Sequence, residues 1–150
     1  YYHYVTHEGS AVNRYRPDRF ALEFNIAKRF EELMQSWKKA EEFKDLVKKE
    51  FWHPVYLELA NVTHLDCPMS QKEKIEWIDW IMQHETIFSY MSEFSTKEES
   101  NLFRKWLIRS LQTGQVNRAI QLMHIRNNVA KNYAELFAKA KALLTSKRNK

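Results

Sequence analysis

The chain has 150 residues, of which 44% are hydrophobic and 14% aromatic, and it contains only two glycines and three prolines. A chain of this length typically forms one domain that buries about 70% of its unfolded surface, and the composition excludes both a disordered protein and a β-sandwich. The net charge of +5 resides in residues 139–150, which hold five basic side chains and no acid, so the rest of the chain is electrically balanced.

The first fifteen residues differ in composition from the rest of the chain. Residues 1–6 are aromatic and β-branched, as in a strand, and Glu8-Gly9-Ser10 is typical of a turn. A single strand cannot satisfy its own backbone groups, and even an isolated hairpin is marginal in water. We therefore expect residues 1–15 to be the end of an upstream domain and residues 16–150 to form a separate helical domain.

The segment YYHYVTHEGSAVNRY resembles the end of the catalytic domain of family-2 glycosyltransferases, the large inverting class that uses nucleotide-sugar donors. Members often close this GT-A domain with a strand of the type Y-Y-x-Y, a loop of the type R-E-G-S or R-x-x-S, and then a helix. His7 stands here where the family more often has Arg. The D-x-D metal motif of the family does not occur in this sequence. The resemblance therefore concerns the catalytic domain that would precede the helices in the parent protein.

The resemblance implies that the loop after the strand lies near the donor diphosphate. His7 and Ser10, with Arg14 as a third candidate, would then neutralise phosphate oxygens or donate hydrogen bonds to them, and His7 is alternatively a metal ligand. The same resemblance implies Mg²⁺ or Mn²⁺, a nucleotide-sugar donor and a glycan acceptor for the parent enzyme. From the residues alone, a plain surface turn remains the alternative.

Residues after Pro17 have helical periodicity, and Pro17 suits the first position of a helix. The first predicted helix runs from Pro17 to Trp37. Its inward stripe is Phe20, Phe24, Ala27, Phe30, Leu33, Met34 and Trp37. A second helix is predicted over residues 40–52, with a kink or a break at Pro54 and a short helix from there to Leu65.

Ser70 and Glu73 form a capping-box sequence before a helix that extends to Met91. Its apolar residues cover several faces, which predicts a central core helix. Two further capping boxes over residues 95–99 precede another helix, and Gly114 should end that helix in a left-handed conformation. The last predicted helix covers residues 115–144. The sequence thus predicts a mainly α, bundle-like domain of five or six helices after a strand remnant.

No catalytic constellation is evident in the helical part. The aromatic residues Trp52, Tyr56, Trp77, Trp80 and Trp106 have helical spacing, which favours a core over a sugar-stacking surface. The basic residues Arg104, Lys105, Arg109, Arg118, Arg126 and Lys131 are spread over two helices without a recognisable motif, which disfavours nucleic-acid binding. The single Cys67 excludes an internal disulfide and fits a reducing compartment.

The basic tail is the remaining candidate contact surface. Lys139, Lys141, Lys147, Arg148 and Lys150 make up its charge. Such a tail attracts anionic lipid or another anion, but cations also suit the C-terminus of any helix, and a solubilising tail is the alternative. We expect a cytoplasmic location, with the tail as the means of peripheral attachment to the inner face of a membrane.

These observations predict the C-terminal helical region of a glycosyltransferase that moves a sugar from a nucleotide donor to a cell-surface glycan or teichoic-acid-like acceptor. The fragment alone should be inactive, because the resemblance places the donor pocket and the base upstream. The alternative is a non-catalytic interaction or oligomerisation module. In that reading the wide apolar helix over residues 75–91 docks a partner or a second copy of the chain.

Overall fold

The computed structural model describes residues 14–96, 99, 101–129 and 132–133. Its helices are α1 (Arg19–Ser36), α2 (Lys44–Val62), α3 (Gln71–Gln83), α4 (Glu85–Ser92) and α5 (Leu102–Gln112), and residues 116–129 are helical as α6. The described part of the chain contains no strand, so the mainly α class is confirmed there. The predicted strand over residues 1–6 lies outside the described residues.

Helix α2 lies at the centre of the helical body. Phe51 of α2 meets Phe24 of α1 edge-on, with ring centroids 5.8 Å apart, and stacks on Tyr90 of α4 at 4.6 Å. Phe20 of α1 contacts Trp77 of α3 at 6.2 Å. The buried apolar core is Phe20, Ala27, Met34, Val47, Phe51, Trp52, Val55, Leu59, Val62, Ile78, Ile81, Ile87, Met91, Leu107, Ile108, Leu111, Val116, Ala119, Ile120 and Met123. All six helices contribute to this core.

Side-chain hydrogen bonds attach α5 and α6 to the other helices. Gln112, at the end of α5, donates to the backbone oxygens of Met91 and Phe94 at 2.7 and 3.0 Å. Asn127 of α6 donates to the Thr63 hydroxyl just beyond α2, at 3.0 Å. These bonds join the end of α5 to the segment that follows α4, and α6 to the end of α2.

Helix α2 is continuous through Pro54, so of the predicted kink or break, the break is wrong. Proline in a helix interior costs about 3 kcal/mol because it lacks the amide donor. Here Phe51, Val55 and Leu59 are all fully buried on either side of Pro54. The apolar stripe keeps its helical spacing across the proline, and packing of that stripe outweighs the lost backbone bond.

The single core helix predicted through Met91 is two helices, α3 and α4, separated by His84. His84 is extended, with φ −62° and ψ 125°. Ile81 and Ile87 are both fully buried, although in one continuous helix they would lie about 120° apart around the axis. The extended residue changes the phase of the second helix and brings Ile87 back to the core.

The predicted caps are partly confirmed. Ser70 and Glu73 form the expected capping box, with reciprocal bonds of 3.3 and 2.7 Å. Gly114 follows α5 with φ +68°, as predicted. The helix itself begins at Leu102, where the Asn101 side chain accepts a hydrogen bond from the Arg104 amide at 3.1 Å, and not directly after residues 95 and 96.

Two of the residues predicted to face inward on α1 face solvent. Leu33 is 41% exposed and Trp37 is 62% exposed. They continue a stripe with Leu22 and Ile26, which are 45% and 58% exposed, on the same side of the helix. Helix α1 therefore buries one apolar face against α2 and leaves a second one uncovered by the described residues.

Candidate functional site

Of the site residues predicted from the sequence, the structure describes only Arg14. His7 and Ser10 lie outside the described residues, as do Lys139, Lys141, Lys147, Arg148 and Lys150. Arg14 is exposed and makes no hydrogen bond or ion pair with a described residue. No group of three or more His, Cys, Asp or Glu side chains in the described ranges is placed to hold a metal ion. The metal implied by the resemblance therefore has no ligand set in this part of the chain.

A groove of about 700 Å³ lies between α2 and the residues that lead into α5. Its α2 wall carries Lys49, Trp52, His53 and Tyr56, which recur at helical spacing on one face. Across the groove lie Phe94, Glu99 and Arg104. We call this feature the α2–α5 groove, and its volume lies within the usual range for small-molecule sites.

The acids at one end of the groove are already paired with lysines. Glu93 lies 3.2 Å from Lys48 and 3.7 Å from Lys44, and Asp45 lies 3.9 Å from Lys48. The hydrogen bond from Lys48 and the charges of both lysines hold the pKa of Glu93 below its ordinary value. This end of the groove is thus internally neutralised.

Two arginines lie near the ring of Tyr56, which lines the groove together with the first of them, Arg104. The guanidinium carbon of Arg104, from α5, lies 5.4 Å from the ring centroid, and that of Arg126, from α6, lies 5.8 Å from it. Arg126 also lies 5.9 Å from the ring of Phe103. These are cation–π distances, at which an aromatic face holds a guanidinium group in position.

Of these two arginines, only Arg104 has a carboxylate nearby among the described residues. Its Nη1 lies 3.9 Å from the Glu99 carboxylate, the same separation as in the Asp45–Lys48 pair. Arg126 has no carboxylate within 4 Å among the described residues, and its polar contact is with the Met123 sulfur at 3.8 Å. Within the described residues, Arg104 thus has a carboxylate partner and Arg126 has none.

A second polar feature fixes the segment that enters the helical body, residues 14–18. The backbone amide of Arg16 donates to Asn61 Oδ1 at 2.9 Å, and Asn61 Nδ2 donates to the Arg16 carbonyl at 2.8 Å. Asn61 is buried in α2. Its amide group binds the chain as a neighbouring strand would, which fixes the direction in which the chain enters the helices.

Glu58 stabilises this attachment through a hydrogen bond with Asn61. Its carboxylate accepts hydrogen bonds from Trp77 Nε1 at 2.8 Å and from Asn61 Nδ2 at 3.1 Å. Burial raises the pKa of Glu58 to about 7, although these two bonds, the charge of Arg19 and the Phe20 amide act in the opposite direction. Loss of hydration therefore outweighs the donors around the carboxylate.

The sequence contained weak signals for these two features. Asn61 and Glu58 lie on the inward side of α2, and a polar residue at a predicted core position is a signal of a buried network. The two arginines were assigned to separate helices, and sequence spacing could not show that both lie over Tyr56. Of the aromatic residues predicted to be core, Trp80 and Trp106 are instead 54% and 56% exposed.

No protein-family model, curated protein or solved structure matches this chain. Among the helices that the structure describes, none combines the length and the apolar character needed to cross a membrane.

Proposed function

We propose that the chain is the C-terminal helical region of a family-2 glycosyltransferase. The parent enzyme would transfer a sugar from a nucleotide donor to a cell-surface glycan or teichoic-acid-like polymer, with Mg²⁺ or Mn²⁺ bound upstream. The resemblance of residues 1–15 supports this function, with His7, Ser10 and Arg14 as the donor-side contacts. The helical region would hold the acceptor, and by itself it would not catalyse transfer.

The observation that supports the proposal most directly is the attachment of Arg16 to the buried side chain of Asn61. Five residues separate Ser10 from Arg16, and the six Cα–Cα steps between the two span at most about 20 Å when fully extended. A loop that contacts the donor would therefore be tied by a short segment to a rigid helical body. This proximity suits a region that presents an acceptor to the donor site.

The gene region before Tyr1 provides the test. We expect it to encode a strand-rich domain that contains a D-x-D motif. We further expect that His7→Ala and Ser10→Ala in the complete gene product weaken binding of the nucleotide-sugar donor. An upstream region without strands and without a D-x-D motif would falsify the proposal.

A non-catalytic interaction module is the second candidate, and the exposed stripe on α1 favours it. Leu22, Ile26, Leu33 and Trp37 lie on one side of α1 and are between 41% and 62% exposed. Exposed apolar patches on otherwise polar surfaces often mark contacts with other proteins. The helix over residues 75–91, originally expected to serve this role, is instead two helices with separate buried faces.

Light scattering after size-exclusion chromatography distinguishes this second candidate. If α1 is an association face, the chain elutes as a dimer or larger assembly, and Ile26→Asp returns it to a monomer. Gln35→Asp is the matched control, because it adds the same charge at an exposed position off the stripe. A monomeric wild-type chain at high concentration would remove self-association as the function.

A further inference from the structure

The charge of the chain is divided between two segments of opposite sign. Residues 1–99 hold thirteen basic side chains and eighteen acids, whereas residues 101–150 hold eleven basic side chains and a single acid, Glu135. The net charge is therefore −5 in the first segment and +10 in the second. The electrical balance of residues 1–138 is thus the sum of an acidic part and a basic part. A segment with this excess of cations attracts anionic partners.

Helices α5 and α6 lie in the basic segment and pack as neighbours. Only residues 113–115 separate them along the chain. Phe103, at the start of α5, lies 5.9 Å from the guanidinium carbon of Arg126, which is in the second half of α6. The start of one helix therefore lies beside the later turns of the other, as in an antiparallel helical hairpin. This α5–α6 hairpin, residues 102–129, contains five basic side chains and no acid.

Helix α5 presents an apolar and basic face to solvent. Leu102 and Trp106 are 65% and 56% exposed, and Arg109, which follows on the same side of the helix, is also exposed. The opposite side carries the buried core residues Leu107, Ile108 and Leu111. Trp106 and Arg109 therefore point away from the core.

Helix α6 has the same arrangement. Ile125 and Val129 are 60% and 58% exposed, and Tyr133, one turn further along the same side, is 72% exposed. Arg118 lies on this side too, two turns before Ile125, and is exposed. The opposite side carries the buried core residues Val116, Ala119, Ile120 and Met123. Two neighbouring helices thus direct apolar side chains and arginines away from the same core.

Exposed aliphatic side chains among cations suit an anionic lipid surface better than a nucleic acid. Contacts to nucleic acids are made mostly to polar phosphate and sugar groups, which offer no partner to Leu102, Ile125 and Val129. A bilayer interface accepts aliphatic groups at its acyl boundary, Trp and Tyr at the headgroup level, and cations beside anionic headgroups. The hairpin and Tyr133 supply all three kinds of side chain.

We propose that the α5–α6 hairpin is a docking surface for anionic membranes. Trp106 and Ile125 insert between the headgroups, and Arg109 and Arg118 contact the lipid phosphates. This surface is separate from the basic tail of residues 139–150, whose charge adds to the attraction. Docking of this kind does not depend on the proposed glycosyltransferase function.

Co-sedimentation of the 150-residue chain with lipid vesicles tests the docking surface. The vesicles consist of phosphatidylcholine alone or of phosphatidylcholine mixed with phosphatidylglycerol. We expect saturable binding to the mixed vesicles that is at least about tenfold tighter than to phosphatidylcholine alone, because several cations lie beside the anionic headgroups. Equal binding to the two kinds of vesicle, or binding to neither, would overturn the proposal.

Trp106→Ser/Ile125→Ser tests the insertion of apolar side chains. It should weaken binding to the mixed vesicles by about tenfold, because two apolar groups no longer leave water. The matched control is Trp37→Ser/Ile26→Ser, which removes the same two residue types from α1, where they are 62% and 58% exposed. The control should bind within about twofold of the wild type. Equal losses in the two variants, or no loss in either, would rule out insertion of the hairpin.

Arg109→Gln/Arg118→Gln tests the cations and should weaken binding by about tenfold. Its control is Arg29→Gln/Lys72→Gln, which removes one exposed cation each from α1 and α3. The control should stay within about twofold of the wild type, since those helices lie outside the docking surface. All these substitutions are at exposed positions, and circular dichroism melting curves should match that of the wild type. Equal losses in the two charge variants would show attraction to the chain as a whole and would contradict docking through the hairpin.

Three further results would overturn the proposal by identifying another contact. If only Lys147→Gln/Arg148→Gln/Lys150→Gln loses binding, the tail alone attaches the chain to the vesicles. If duplex DNA at the same phosphate concentration displaces the chain from the mixed vesicles, the cations serve a nucleic acid. If light scattering shows a dimeric wild type and a monomeric Trp106→Ser/Ile125→Ser variant, the face joins two copies of the chain.

Discussion

Glu58 is the residue whose ionisation affects the stability of the fold most directly. Its pKa is raised from 4.5 to about 7 in the folded chain, chiefly because burial removes its hydration. Between pH 4.5 and about 7, Glu58 therefore keeps its proton in the folded state, whereas in the unfolded state it has already released it. Because unfolding releases this proton, the contribution of Glu58 to the free energy of unfolding falls as the pH rises through this window. Above the window the contribution is constant.

Glu58→Gln tests this linkage, because glutamine keeps the shape of the side chain and cannot ionise. Relative to the variant, the wild-type free energy of unfolding should fall by on the order of 2–3 kcal/mol between pH 4.5 and 7. Urea denaturation at a series of pH values measures the difference. Other groups that titrate in this range, such as His124, whose burial lowers its pKa, contribute to both chains and cancel. A difference that does not change with pH would contradict the assignment.

Lys38 is the one described non-glycine residue with positive φ, at 57°. It follows α1 in a Schellman arrangement, in which the Lys39 amide donates to the Met34 carbonyl at 2.8 Å and the Lys38 amide donates to the Gln35 carbonyl at 2.9 Å. A left-handed conformation costs a residue with a Cβ atom roughly 1–2 kcal/mol. Glycine relieves this cost but has more freedom to lose on folding.

We expect Lys38→Gly to stabilise the chain by about 0.5–1 kcal/mol. Gly114 occupies the same position after α5 with φ +68°, and a Cβ atom there would meet no other atom within 4 Å. Gly114→Ala should therefore destabilise by about 1 kcal/mol through backbone strain alone. Thermal melts of both variants test these two predictions. If both variants change the stability in the same direction, the explanation is refuted.

Among the elements, α2 is the helix on which the entry segment depends. Asn61→Ala removes both bonds to Arg16 and one bond to Glu58, all made by one buried side chain. We expect a loss of about 3 kcal/mol and faster hydrogen exchange at the Arg16 amide. Asn127→Ala, which removes a single bond to Thr63, should cost about 1 kcal/mol. Unchanged exchange at Arg16 in the first variant would show that the segment is held by other contacts.

Helix existence was predictable from periodicity, whereas two helix boundaries were not. The stripe on α2 was visible on both sides of Pro54, but local rules alone favour a break there. Residues 75–91 showed apolar side chains on several faces, and one break at His84 explains that pattern as well as a central helix does. Both outcomes depend on how much apolar surface the neighbouring helices bury, which a single segment does not reveal.

For the molecule as a whole, the sequence predicted the class of fold but not the location of the candidate site. Arg104 and Arg126 were visible as basic residues, and Tyr56 as an aromatic residue of another helix. Their convergence arises because α5 and α6 both pack near α2, with Asn127 fixed to Thr63 at the end of α2. Such long-range placement is not encoded in spacing along any one helix.

The most direct measurement is the release of nucleotide diphosphate by the complete gene product, with a panel of nucleotide sugars and Mg²⁺ or Mn²⁺. We predict release with at least one donor, stimulated by a glycan acceptor. No release with any donor would contradict the account.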